Sequence, residues 1–144
     1  MKPILVDILL DTDTLSFFLR SEKQKEKKVV KKINDYLKRN KKFSISIITY
    51  YELLNGLYFG DTKERTEEIE LFLNNHTILS ISKEIAQKAA HIYTKLRSEG
   101  NTIAHNDILI AATAIVENLV LITNNNKHFD RIDELKVENW TQEV

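Results

Sequence analysis

Two short apolar runs constrain this chain more than any other feature: Ile8-Leu9-Leu10, preceded by Ile4-Leu5-Val6, and Leu119-Val120-Leu121-Ile122. The second is apolar at every position over a length too short for a core helix, so it reads as a strand covered on both faces. Both runs stop abruptly on polar residues, the first on Asp11-Thr12-Asp13-Thr14 and the second on Thr123-Asn124-Asn125-Asn126. In α/β proteins the crevice outside the carboxyl ends of parallel strands is where ligands bind, which makes both strand ends candidate sites.

The chain between them alternates strand and helix patterns. Val29, Val30, Ile33, Tyr36 and Leu37 form a helical stripe across residues 26–40, and Phe43-Ser44-Ile45-Ser46-Ile47 alternates with the period of a strand. Thr49-Tyr50-Tyr51-Glu52 is expected to open a helix that Gly60 stops, and Asp61 or Thr62 to cap the next, which turns Ile69, Phe72 and Leu73 inward. Residues 77–81 read as a short strand. Ser82 is expected to cap a long helix striped by Ile85, Ala89, Ile92, Tyr93 and Leu96 that ends near Gly100. After a loop, Asn106 or Asp107 starts a helix that is apolar nearly all round from Ile108 to Val116 and should be buried. Residues 135–139 suit a last edge strand. Strands separated by helices imply right-handed crossovers and a three-layer α/β/α domain, with a central, mostly parallel sheet of four to five strands. A length of 144 residues suits one such domain, spanning residues 1–144.

Composition removes several function classes. A content of 42% hydrophobic and 29% charged residues is that of a soluble protein, and no apolar run nears the roughly 20 residues of a membrane helix. Asp7 interrupts the N-terminal apolar segment and no cleavage site follows, so a cytoplasmic protein is expected. The absence of cysteine excludes disulfides and thiolate metal sites. A formal net charge of +0 excludes a generically basic nucleic-acid binder, yet residues 20–42 carry eleven basic residues against three acids. That cluster, with Lys27, Lys28, Lys31 and Lys32 at its centre, is either a solvated helix face or a surface for a polyanion.

Three acids stand at comparable positions: Asp11 after the first strand, Glu52 early in the helix after the second, and Asp107 at the start of the buried helix. Each has a plain structural explanation. Asp11 or Asp13 can cap a helix, Thr49 and Glu52 fit a capping box, and Asp107 would meet a helix dipole favourably. The four histidines, His76, His91, His105 and His128, show no metal-ligand spacing and carry no catalytic assignment, although His105 could contact RNA.

With their flanks, these segments resemble a known family. Leu9-Leu10-Asp11-Thr12-Asp13, the stretch from Ser46 to Leu53 with Gly56, Asn106-Asp107 with the apolar residues that follow, Leu121-Ile122-Thr123-Asn124-Asn125 with His128-Phe129, and Val137-Glu138-Asn139-Trp140 are similar, in this order, to the PIN-domain ribonucleases. More narrowly they resemble the VapC toxins of bacterial type II toxin–antitoxin pairs. Asp13 stands where an Asn is usual, and Asn125 where some PIN domains have a fourth acid. The resemblance implies a Mg²⁺- or Mn²⁺-dependent endoribonuclease that acts on structured RNA such as a tRNA. It further implies a homodimer and a cognate VapB-type antitoxin. Asp11 and Asp107 would be metal ligands, Glu52 a ligand or a water-mediated orienter, and Asp13, Thr123 and Asn125 supporting groups. Such oxygen ligands suit hard divalent cations, which activate water and neutralise a scissile phosphate.

Two alternatives remain open at this point. Asp11-Thr12-Asp13-Thr14-Leu15 after an apolar strand also resembles the first motif of haloacid-dehalogenase-type phosphatases, with Asp11 as nucleophile. The other is a PIN-like module that binds RNA or protein without cutting, motivated by Asn125 in place of an acid.

Overall fold

The computed structural model describes residues 7–20 and 24–141, so Ile4-Leu5-Val6, Glu22 and Lys23 lie outside the described residues. In chain order the elements are β1 (Ile8–Leu10), α1 (Thr12–Arg20), α2 (Gln24–Asn40), β2 (Ser44–Ser46), α3 (Ile47–Gly60), α4 (Lys63–Asn74), β3 (Thr77–Leu79), α5 (Lys83–Ser98), α6 (His105–Val116), β4 (Val120–Ile122), α7 (Asn126–Phe129) and β5 (Val137–Glu138). The five strands form one sheet in the order β3-β2-β1-β4-β5, and every pairing is parallel. The expected parallel sheet is therefore wholly parallel.

Successive side chains of a strand point to opposite faces, and the two cores follow that rule. Ile8 and Leu10 of β1, Ile45 of β2, and Val120 and Ile122 of β4 join Leu15 of α1, Val29 and Ile33 of α2, and Ile69 and Leu73 of α4 in one apolar cluster. Leu9 and Leu121 face the other way, against Ile85, Ile92 and Leu96 of α5, the run from Ile108 to Ala114 of α6, and Phe129 of α7. Three layers result from the pleat of three-residue strands. Ile108, Ile110, Ala111, Ala112, Thr113 and Ala114 are all buried, as the all-round apolar pattern of α6 predicts.

The chain leaves β1 to build β2 and β3 on one side, then returns through α5 and α6 to add β4 and β5 on the other. The strand order reverses between β1 and β4. The carboxyl ends of those two strands, Asp11 and Thr123, flank that topological switch point, where open α/β sheets bind ligands.

Helix starts separate confirmed from corrected expectations. Thr62 and Ser82 cap α4 and α5, accepting from the backbone N–H groups of Arg65 and Ile85. Gly100 after α5 has φ +73°, the left-handed conformation in which glycine ends helices. The start of α3 is different. It begins at Ile47, with the Ser46 hydroxyl accepting from Ile48 N–H, so Thr49 lies inside the helix and is fully buried. The expected capping box of Thr49 and Glu52 is not formed. Helix α6 begins at His105 without a side-chain cap, one-turn α7 was not foreseen, and the tail strand is reduced to Val137 and Glu138.

His76 has a structural role. It stacks on Phe43 at 3.7 Å between centroids and accepts from Phe43 N–H through Nδ1 at 3.2 Å. Burial and nearby Lys42 push its pKa down, which suits a neutral acceptor. Among the described residues no helix is long and apolar enough to cross a membrane.

Candidate functional site

Asp11 leaves β1 with its backbone N–H bonded to the carbonyl of Ile122, which seats it against the end of β4. Its Oδ1 accepts from Thr14 N–H at 2.8 Å, the geometry of an N-cap on α1. The capping role is thus real, but it takes up one oxygen. The carboxyl also bonds the hydroxyls of Thr123 and Thr14, and the residue is only 5% exposed. Burial pushes its pKa up from 3.8 to about 6, against the opposing pull of these hydrogen bonds and with a smaller contribution from Asp13. Thr123, fully buried, also accepts from Asn125 N–H at 3.0 Å and so sets the loop after β4.

Glu52 projects from the second turn of α3, half-buried. The Thr12 hydroxyl donates to its Oε1 at 2.5 Å and lies 3.1 Å from the Thr49 hydroxyl. The Asn106 amide donates to its Oε2 at 3.2 Å. Both oxygens are therefore held, one from α1 and one from α6. Thr12 and Asn106, which the sequence offers only as flanks of the expected site acids, are the two side chains that hold the Glu52 carboxylate. Their signal was position, each beside an expected site acid.

Asp107 occupies the first turn of α6. Burial raises its pKa, His128 opposes that rise, and the negative charges of Glu52 and Asp13 add to it. His128 Nδ1 lies 3.5 Å from Asp107 Oδ2 and 2.9 Å from Asn125 Nδ2. Asp13 is exposed and lines a groove of 290 Å³ with Thr12, Glu52, Gly56, Asp61 and Arg65. Asp11 and Asp107 each sense Asp13, and Asp107 senses Glu52, so the four acids share one electrostatic neighbourhood.

The donor set is carboxylate and hydroxyl oxygen, which could hold a hard divalent cation, and burial disfavours the ionised form of Asp11 and Asp107 as long as no cation balances it. Among the described residues no three His, Cys, Asp or Glu side chains approach closely enough to cage an ion.

The lysines lie to one side. Helix α2 descends along the sheet to deliver β2, so Lys41 and Lys42 lie near the rim opposite the acids, and Lys27 and Lys28 start the described lysine face. Lys31 pairs with Asp35 at 3.0 Å. Of the remaining histidines, His105 stacks on Tyr93 at 4.7 Å, two residues before Asp107.

The family model of the PIN domain matches residues 8–135. Ribonuclease VapC2 of Rickettsia felis is 36% identical over 107 residues, covering 74% of this chain and 80% of the relative. Ribonuclease VapC1 of Haemophilus influenzae is 30% identical over 135 residues, 93% of this chain and 98% of the relative. The tRNA(fMet)-specific endonuclease VapC of Shigella flexneri is 30% identical over 101 residues, 69% of this chain and 76% of that protein. The crystal structure of VapBC2 from Rickettsia felis bound to a promoter DNA fragment superposes with a TM-score of 0.79 at 30% identity, covering 92% of this chain and 98% of that one. These matches overturn the phosphatase alternative. With the parallel sheet and its acidic switch point, they establish that the chain belongs to the PIN-domain family and, within it, to the VapC ribonucleases.

Proposed function

We propose that this protein is a metal-dependent endoribonuclease, the toxin of a VapBC-type pair, which hydrolyses structured RNA and is silenced by a VapB-type antitoxin. The observation that supports the reading is the tie of Glu52 to Thr12, next to Asp11, and to Asn106, next to Asp107, which relates the three acids across the α1, α3 and α6 starts beside the β1–β4 switch point. Evolutionary likeness to proteins named as ribonucleases, one of them tRNA-specific, supports RNA as substrate and tRNA as the first RNA to test. Likeness to a VapBC complex supports the antitoxin, whose basic side chain would complement the acids.

When bound, a divalent cation lowers the pKa of a coordinated water and neutralises charge on the scissile phosphate. Asp11 and Asp107 would hold it. Asp11 is pre-oriented by Thr14 and Thr123, so little side-chain freedom remains to be lost on binding. Glu52, held at both oxygens by Thr12 and Asn106, is suited to accept a proton or orient a water without being a direct ligand. Asp13, at the mouth, adds negative charge that favours the cation and leaves phosphate to be drawn in by the ion and the lysines.

The test is incubation of the purified chain with total RNA in Mn²⁺, Mg²⁺ or EDTA, with cut ends mapped by sequencing. Discrete cuts that need the metal and vanish in Asp11→Asn are expected. RNA bound but uncut by the wild-type chain with Mn²⁺ present would favour the non-catalytic module instead.

A further inference from the structure

Resting on the nuclease reading, we propose that His128 is a positioning residue of the acid site, the group that fixes the Asp107 carboxylate for cation binding. The three acids differ in how they are held. Asp11 is restrained by Thr14 and Thr123, and Glu52 by Thr12 and Asn106. Among the described residues, Asp107 has one polar side chain within reach, His128, at 3.5 Å.

The imidazole reaches the site from α7, a single turn that follows the site loop after β4. Adjacent Phe129, 2% exposed, packs into the core beneath α6 and anchors that turn. Through Nδ1 the ring also meets the Asn125 amide at 2.9 Å. One tautomer accepts there from the amide, and the other presents Nδ1–H to Asp107. In the second state a half-turn of the Asn125 amide offers its oxygen to the same N–H. His128 therefore links the end of β4 to α6 across the switch point. Its role is distinct from that of a ligand, since the contacts are made through the nitrogen that faces the carboxylate. Groups that orient metal ligands typically change ion affinity about 10–100-fold when removed.

The experiment measures Mn²⁺ binding to the whole chain by electron paramagnetic resonance, alongside RNA cleavage titrated with Mn²⁺, for wild type, Asp11→Asn, His128→Ala and His128→Asn. The side chain of His128 is 46% exposed, so both His128 variants should unfold at the wild-type temperature. The expected result is a Mn²⁺ Kd raised about tenfold or more in His128→Ala, an unchanged KM for RNA at saturating Mn²⁺, and recovery in His128→Asn, whose amide keeps a donor near the position of Nδ1. Loss of Mn²⁺ binding in Asp11→Asn with wild-type affinity in His128→Ala would overturn the inference and spare the nuclease reading. Equal impairment of both His128 variants would overturn it as well. Absence of Mn²⁺ binding in the wild type would overturn both.

Discussion

At the scale of single residues, Asp11 shows that a structural role and a chemical one can share a side chain. It caps α1 through Oδ1 while its buried carboxyl group carries a pKa of about 6. Between that value and 3.8 the folded chain binds more protons at Asp11 than the unfolded chain does, so stability falls as pH rises through the window. Above it, the ionised carboxylate costs on the order of 3 kcal/mol. Asn caps as well as Asp does, so Asp11→Asn should abolish cleavage and yet raise metal-free stability at pH 7 by roughly 1–3 kcal/mol. Urea unfolding at pH 4 and pH 7 checks this, and the gain should shrink at pH 4. A variant equally destabilised at both values would mean that lost hydrogen bonds outweigh burial. Saturating Mn²⁺ should stabilise the wild type and not the variant, by mass action. Glu52 makes a second case. Removing either of its holders, in Thr12→Val or Asn106→Ala, should lower kcat about tenfold or more at unchanged RNA affinity, whereas an equal fall in affinity would make them RNA contacts.

At the scale of elements, strands and long helices were readable because their periodicity is physical. The run from Ile108 to Ala114 is apolar all round since α6 is buried, and Leu119-Val120-Leu121-Ile122 is apolar because β4 has a core on each side. What was not legible depended on partners distant in sequence. Thr49 looks like a cap, but its hydroxyl meets Thr12, 37 residues away, and Ser46 caps the helix instead. Asn106 lies 54 residues from the carboxylate it holds. No local pattern encodes either pair. Helix α7 has four residues, too few for a periodic signal, and His128 stands in a family segment without the metal-ligand spacing that would single it out. Its signal was the Asn125–His128 spacing beside an anchoring Phe129. Phe129→Ala should therefore cost about 3–5 kcal/mol and free the α7 turn. Hydrogen exchange reads it: the amides of His128 and Asp130, bonded to Asn125 and Asn126, should lose protection before those of α5. Simultaneous loss throughout the chain would show that α7 is not a separate unit.

At the scale of the whole molecule, a net charge of +0 hides a polarised distribution, with acids at the switch point and lysines along α2. The helix has 17 residues and so spans about 25 Å, several times the roughly 8 Å over which physiological salt screens exposed charges. Its lysines therefore cannot contribute equally to holding RNA over the acids. Those at the start of the described face, Lys27 and Lys28, should matter more than Lys41 and Lys42, which lie beyond the other end, where the chain enters β2. Lys31, tied to Asp35, is an intermediate case. Each phosphate contact releases condensed counterions, so the logarithm of affinity falls against that of salt by about 0.7–0.9 per contact. Lys27→Glu with Lys28→Glu, in the Asp11→Asn background to prevent cutting, should weaken RNA binding and flatten the salt slope by roughly one to two. Lys41→Glu with Lys42→Glu should change both quantities far less. Equal effects from the two pairs would extend the RNA footprint along all of α2, and no effect from either would make the lysine face a solvated surface, leaving RNA to be drawn in at the acid site by the cation alone.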